Sequence, residues 1–251
     1  MFEMPWDPDS VEAELPAEEP RTGLHYHVAR SIEDALDAWR LVYLSYQRDE
    51  LIDPNPFGIH TIQQAVGPKT AIALARFGNL AVSTLSAYAD GPLGLPLDTV
   101  YHAEIEAIRR AGRVAMEVGL LADRREQVSR SVESLFELMR FAFYFAVDIS
   151  AHDVVIGVHP RHAPFYMRLF AFEQIGALKS YPTVKDRPVV LLKFDMQRLP
   201  AMNPLPKGLT YLVQHPLSAA AFKQRYLFDE PAVPLSVIGQ FLSQRRSINA
   251  A

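Results

Sequence analysis

The stretch from residue 113 to residue 158 restricts the fold of this chain more than any other. Residues 113–123, RVAMEVGLLAD, form a strand pattern that is apolar on both faces, and residues 152–158, HDVVIGV, form another buried strand. Between them, LFELMRFAFYFAV is apolar nearly all round as a helix, and we predict that this helix runs from Arg124 to Ile149. Apolar surface on every side has to be covered by other elements, so we expect this stretch to form the centre of the fold.

Strands and helices alternate around this centre. We predict strands at 24–30, 70–78, 80–90 and 187–196, helices at 32–49 and 97–112, and a short helix after His159. Gly78 and Asn79 are typical of a hairpin turn, and Ser31 is typical of a helix N-cap. Along the chain, antiparallel strands come first and are followed by a strand, a helix, a strand, a helix and a strand. This order predicts a mixed α/β domain over residues 23–200.

The two ends of the chain differ from this domain in composition. Residues 1–22 contain seven acidic residues, four prolines and a single arginine, which predicts a disordered acidic tail. Residues 201–251 contain PLSAAAFKQRYLF and PLSVIGQFLSQRR, two helix patterns with a proline at the start of each. We therefore predict a C-terminal helical extension.

Composition also excludes several classes of protein. No apolar run approaches the roughly 20 residues of a membrane-spanning helix, and the chain begins with acidic rather than basic residues. The absence of cysteine excludes disulfides, thiolate metal sites and cysteine nucleophiles. We expect a cytoplasmic protein without a membrane span and without a nucleic-acid partner.

Glu117 is the strongest single indication of chemistry. It is the only carboxylate in VAMEVGLLA, and an unpaired buried carboxylate is costly unless it has a charge partner, a raised pKa or access to a cleft. The pattern favours a general base and leaves open a structural ion pair with a nearby arginine. Gly119 lies on the same face of the strand, where a ligand can approach closely or the strand can bulge.

The segment HPRHAPFYMRLF contains two further candidates. His159 and His162 have a spacing that suits a shared metal. However, Pro160 disfavours helical geometry at His159, and no third ligand lies nearby in sequence. We therefore predict no metal site. Tyr166 lies one turn inside the helix that follows the strand ending at Val158. Its phenol can donate a proton to a leaving group, whereas its apolar surroundings suit a core aromatic equally well.

Six arginines occur within 22 residues, and they are accompanied by only three acidic residues. They suit an acidic or phosphate-bearing partner, and a water-exposed helix end is an equally good interpretation. The six are Arg109, Arg110, Arg113, Arg124, Arg125 and Arg130.

The chain contains several short motifs in a fixed order: NPFG, GLPLD, MEVGLLA and VIGVHPRHAPFYMRLFAFEQIG, followed by YPTVKDRPVVLLKFDM. This ordered set resembles the FeeM-type N-acyl amino acid synthases. This family is related to the acyl-homoserine-lactone synthases within the GNAT-like acyltransferase superfamily. The resemblance spans residues 24–196. It implies a GNAT-like fold, with a mixed and mostly antiparallel central sheet flanked by helices, and transfer of a long-chain acyl group from acyl carrier protein or coenzyme A to the α-amine of an amino acid.

The resemblance also implies roles for particular residues. Glu117 matches the acidic position of the family's Glu-x-Ser-Arg motif and would help to deprotonate the amine, and Tyr166 would protonate the departing thiolate. Gly119 and Leu120 replace the usual serine and arginine, and Val42 replaces another family arginine. The remaining implied contacts are Val118, Gly119, Leu120 and Val158 for substrate, and Arg124, Arg125, Gln127 and Arg130 for the acyl carrier or its pantetheine arm.

Gln127 begins the GNAT pyrophosphate motif, but Arg130 and Val132 stand where that motif has glycines, which favours acyl carrier protein over coenzyme A. The resemblance requires no bound cofactor. An acyl-binding or partner-binding protein without turnover is the alternative, and an acetyl-coenzyme A enzyme is disfavoured. The C-terminal helices would cover an acyl tunnel, dock a partner or form a homodimer.

Overall fold

The computed structural model describes residues 23–66, 70–124 and 132–214. The predicted acidic tail, the helix patterns at 216–228 and 234–246, and residues 125–131 lie outside these ranges. Within them, no helix is long and apolar enough to cross a membrane.

The described residues form one mixed sheet with helices on both faces. The order of the strands is β1-β2-β3-β4-β5-β8-β6, with β7 paired to β8. Every described pair is antiparallel except β4 and β5, which run parallel. The strands are β1 (Leu24–Val28), β2 (Thr70–Phe77), β3 (Leu80–Ala89), β4 (Ala115–Asp123), β5 (Asp153–Val158), β6 (Glu173–Gln174), β7 (Lys179–Tyr181) and β8 (Arg187–Asp195). The helices are α1 (Ile32–Arg48), α2 (Asp98–Arg110), α3 (Val132–Asp148), α4 (Ala163–Phe170) and α5 (Lys207–Gln214), accompanied by four short 3-10 segments.

The sequence predicted the longer elements closely. Ser31 caps α1, its hydroxyl accepting from the Asp34 backbone N–H at 3.1 Å, and the proline-rich segment 53–58 is a loop as expected. The predicted start of the central helix at Arg124 is wrong, because Arg124 is not helical: its backbone N–H donates to the Val82 carbonyl and so continues the sheet. The short strands β6 and β7 and the helix α5 were not predicted, since each is too short to show a hydrophobic period.

Two apolar cores lie on opposite faces of the sheet. One core, beneath α3, α4 and α5, contains Phe136, Phe141 and Phe165. The other, beneath α1 and α2, contains Trp39 and Tyr101. The all-round apolar character of α3 is thus explained, because it is covered by the sheet on one side and contacts α5 on another.

Helix α5 lies within the predicted C-terminal extension, yet it packs onto the domain core through buried Leu209 and Leu212. Gly208 permits this contact. A Cβ added there would lie 2.5 Å from the Leu169 carbonyl oxygen and 2.8 Å from the Phe170 ring.

Gly208→Ala is expected to destabilise the protein by about 1–3 kcal/mol, because backbone and a packed ring have to move to make room for the methyl group. Chemical denaturation followed by circular dichroism measures this loss. Gly91→Ala is the matched control, since a Cβ at Gly91 meets nothing within 4 Å. Equal stability of the two variants would show that α5 does not pack tightly on α4.

Candidate active site

The two central strands separate partway along their length. β4 and β5 pair from Ala115 with Asp153 up to Val118 with Ile156, and β4 then continues to Asp123 without this partner. At the point of separation the register of β4 against β3 shifts, so that β4 contains one extra residue, and Leu120 has a positive φ of 48°. This is a β-bulge, which bends a strand away from its neighbour. The bulge therefore opens a gap in the middle of the sheet.

A cleft occupies this gap and reaches both faces of the sheet. Its space, including the open mouth, amounts to about 930 Å³. Met139 and Tyr166 line it on the α3 and α4 side, and Tyr46 and Tyr181 line it on the α1 and α2 side. The other lining residues are Leu51, Leu85, Val118, Gly119, Leu120, Leu121, Ile156, Gly157, Val158, His159, His162, Val184, Arg187, Pro188 and Val189.

Glu117 lies directly behind the wall of this cleft. Its side chain is buried at 4% exposure, and its Oε2 accepts a hydrogen bond from the Leu97 backbone N–H at 2.8 Å. Its other oxygen, Oε1, lies 3.8 Å from where a Gly119 Cβ would be, and Gly119 itself lines the cleft. Within the part of the chain that the structure describes, no lysine or arginine pairs with Glu117. The structural ion pair that the sequence left open is therefore absent from these residues.

Burial raises the pKa of Glu117 well above its usual range. The Leu97 N–H opposes this shift, and the charge of Asp98 adds to it. A carboxyl group that binds its proton more tightly is a stronger base once ionised, so this environment suits a group that removes a proton from an amine.

Three tyrosines lie close enough to Glu117 for its charge to act on them. Tyr88 is the residue paired with Glu117 on β3, and the charge of Glu117 also acts on Tyr46 of α1 and Tyr181 of β7. Burial and then the Glu117 charge raise the pKa of Tyr181 to about 12, and burial is the largest cause of the raised pKa values of Tyr46 and Tyr88. All three phenols are therefore neutral near pH 7.

An ion-pair cluster holds the loop that supplies the Leu97 amide. Arg109 of α2 bonds Asp90 at 2.6 Å and Asp98 at 2.6 Å, and Asp98 also accepts from the Leu95 backbone N–H at 2.7 Å. This cluster fixes residues 90–98 at both ends. It thereby positions the amide that faces Glu117.

The segment HPRH joins β5 to α4, as predicted. β5 ends at Val158, His159 Nδ1 accepts from the Arg161 backbone N–H at 3.3 Å, and α4 then places Tyr166 on the cleft. Burial alone raises the pKa of Tyr166, so its phenol keeps its proton. His159 and His162 both line the cleft, and no group of three or more metal-ligating side chains occurs among the residues described.

The predicted substrate contacts, Val118, Gly119, Leu120 and Val158, all line the cleft. Arg124 lies elsewhere: its Nε donates to the Ala81 carbonyl at 3.0 Å, and it does not line the cleft. Arg125, Gln127 and Arg130 fall outside the described residues. Of the arginine-rich stretch, Arg109 and Arg113 bind internal carboxylates, Arg113 bonding Asp153 at 2.5 Å.

The sequence did not single out Tyr46, Tyr181, Arg187 or the Leu97 amide. Their positions depend on contacts between segments that are far apart in the chain. The only local signal was the Tyr-Pro and Asp-Arg-Pro pattern at 181–188, which indicates a turn but not what it faces.

Comparison with known proteins identifies the family and the fold. The family model described as N-acyl amino acid synthase FeeM matches residues 37–195. The solved structure of FeeM, an N-acyl amino acid synthase from uncultured soil microbes, is 25% identical with a TM-score of 0.63, and the match covers 71% of this chain and 94% of that one. The AHL synthase LasI shares the fold at 10% identity and a TM-score of 0.57, covering 78% of this chain and 98% of LasI.

Comparison with curated protein sequences finds no match. The family model nevertheless spans more than half of the 251 residues, and it includes β4, β5 and α4, which build the cleft. The chain therefore belongs to the N-acyl amino acid synthase FeeM family and is an N-acyltransferase with a GNAT-like fold.

Proposed function

We propose that this protein transfers a long-chain acyl group from a thioester, carried by acyl carrier protein or coenzyme A, to the α-amine of an amino acid. The observation that carries the proposal is the position of Glu117, whose Oε1 faces the space left by Gly119 at the edge of the cleft. A carboxylate in this position supports removal of a proton from an amine that enters the gap between the strands.

The lining of the cleft supports an apolar donor. On the α3 side it is formed by Leu85, Met139 and Ile156. A second, shallow hollow, whose space including open solvent is about 310 Å³, also has Met139 in its lining and lies among aromatic side chains that include Phe170, Phe172 and Phe194. A chain of methylene groups gains about 0.8 kcal/mol for each group buried in such surroundings. A long acyl chain therefore fits this face better than an acetyl group.

The reaction follows from the two sides of the cleft. A neutral amine enters on the Glu117 side, attacks the thioester carbonyl carbon and forms the C–N bond, while Glu117 takes the proton that the nitrogen loses, directly or through water. In this proposal, backbone N–H groups of β4 that point toward β5 beyond Val118, where pairing to β5 has ended, stabilise the oxyanion. The C–S bond then breaks, and Tyr166 donates its proton to the departing thiolate.

The proposal predicts N-acyl amino acid formation by the purified full chain. The protein is incubated with the twenty amino acids, tested singly, and with either acyl carrier protein or coenzyme A charged with acyl groups of increasing length. Products are measured by mass spectrometry and released thiol by absorbance. We expect product with long acyl chains and little with acetyl. Thioester binding without thiol release, for every donor and amine, would contradict catalysis and favour an acyl-binding protein.

A further inference from the structure

The sheet face that carries Glu117 also carries one arginine at the cleft. Arg187 begins β8 and pairs with Tyr181 of β7. Side chains alternate along a strand, so Arg187 lies on the same face as Val189 and Leu191, which belong to the core beneath α1 and α2. Glu117 lies on that face too, two residues after Ala115 of the same core. Arg187 and Glu117 therefore lie on the same face of the sheet.

Among the described residues that line the cleft, Arg187 is the only arginine or lysine. Its side chain is 38% exposed, and its Nη2 lies 4.0 Å from a carboxylate oxygen of Glu50, which is itself 81% exposed. An ion pair at this distance between exposed groups contributes little. The guanidinium is thus loosely held and can exchange this partner for a substrate anion.

The neighbouring histidine does not share this charge. Burial and the positive charges of Arg161 and Arg187 lower the pKa of His159, so its imidazole is neutral near pH 7. Arg187 supplies the permanent positive charge at this part of the cleft. A guanidinium matches a carboxylate with two parallel hydrogen bonds, which fixes orientation as well as adding affinity.

We propose that Arg187 binds the α-carboxylate of the acceptor and so selects amino acids over simple amines. This assignment rests on the proposed function, because it concerns the acceptor of the same reaction. Glu117 is level, through Val155 of β5, with Lys193, six residues farther along β8 than Arg187, so in this proposal water carries the proton from the α-amine to Glu117. The phosphate of a pantetheine donor is the other anion that an arginine here could contact, and the donor's KM distinguishes the two.

The test compares acceptors and variants in the full chain. The amino acid with the highest kcat/KM is assayed beside its carboxamide, which lacks the negative charge. For wild type we expect the amino acid to be strongly preferred. Arg187→Gln should raise KM for the amino acid about 10- to 100-fold, with KM for the acyl donor changed less than about twofold. For the carboxamide, the ratio of KM in the variant to KM in wild type should stay near one. Because each acceptor is compared with itself in the two proteins, the different basicities of the two amines do not affect the result.

Two further variants complete the comparison. Arg187→Lys keeps the charge without the paired donors and should recover part of the loss. Lys185→Gln is the matched control, because Lys185 lies on the same hairpin, pairs with Asp53 at 2.7 Å and does not line the cleft, so it should leave KM unchanged. Thermal melting confirms that each variant is folded.

The outcomes separate the two proposals. The carboxylate assignment is overturned if Arg187→Gln loses activity equally with the amino acid and with the carboxamide. It is also overturned if wild type accepts both equally. Either result leaves N-acyl transfer in place. A raised KM for the donor assigns Arg187 to the donor phosphate and also overturns it. A wild type that acylates no amine overturns the proposed function and this inference with it.

Discussion

Glu117→Gln is expected to lower kcat/KM for N-acyl transfer by about 10²- to 10⁴-fold, the usual contribution of a general base. The substitution preserves shape, and the amide oxygen can still accept the hydrogen bond from the Leu97 N–H. Only proton acceptance is lost. Steady-state kinetics with the best donor and acceptor measure the effect, and Glu173→Gln, which changes an exposed carboxylate of β6 outside the cleft, is the control.

The same variant should change the pH dependence of activity. In wild type, kcat/KM should rise with pH as the carboxyl ionises, with its midpoint well above the ordinary value of 4.5. The charged and titratable groups that face Glu117 are Tyr46, Tyr88, Tyr181 and Asp98, and the three phenols are neutral over this range. Glu117→Gln should remove this rise of kcat/KM with pH. Unchanged activity or an unchanged pH profile would show that Glu117 is not the base.

Stability offers an independent measurement of the same group. The folded protein holds the Glu117 proton more tightly than the unfolded chain, so the contribution of this group to stability is present below about pH 4.5 and is lost as pH rises through the folded pKa. Glu117→Gln should therefore be more stable than wild type near and above neutral pH, with the difference vanishing in acid. Denaturation at several pH values tests the sign. A variant less stable at every pH would indicate that the carboxylate has a structural role.

Tyr166→Phe is expected to reduce kcat by about 100-fold with a natural thioester, because the departing thiolate loses its proton donor. Tyr166 is buried among Phe165, Phe170 and Phe172, so phenylalanine fits the same space and the fold should be retained. Pre-steady-state release of thiol measures the step directly. Met167→Ala is the control, since Met167 is exposed on the same helix and does not line the cleft.

The leaving group distinguishes proton donation from packing. An alkyl thiol has a pKa near that of cysteine, about 8.5, whereas an aryl thiol is more acidic and leaves without help. With an aryl thioester, the reduction of kcat caused by Tyr166→Phe should be only about 10-fold or less. An equal loss with alkyl and aryl thioesters would contradict the role of Tyr166 as acid and assign it to shaping the cleft.

The sequence alone determined the elements whose signal is local. The strand apolar on both faces, the body of the helix apolar all round and the cap at Ser31 were found where their patterns placed them, because burial and capping depend on neighbours only a few residues away, whereas the predicted start of that helix at Arg124 was wrong. Glu117 stood out for the same reason, as a carboxylate inside an apolar strand.

Tertiary structure decided what surrounds these elements. The bulge at Leu120 separates β4 from β5, the Leu97 amide arrives at Glu117 from a loop 20 residues away, and Arg187 reaches the cleft from β8, the strand next to β5. None of these contacts leaves a periodic pattern in the sequence, since each depends on how distant segments pack. The sequence therefore identified the candidate base, and only the packing of the sheet showed that it lies behind the wall of an open cleft, with a cation on the same face of the sheet.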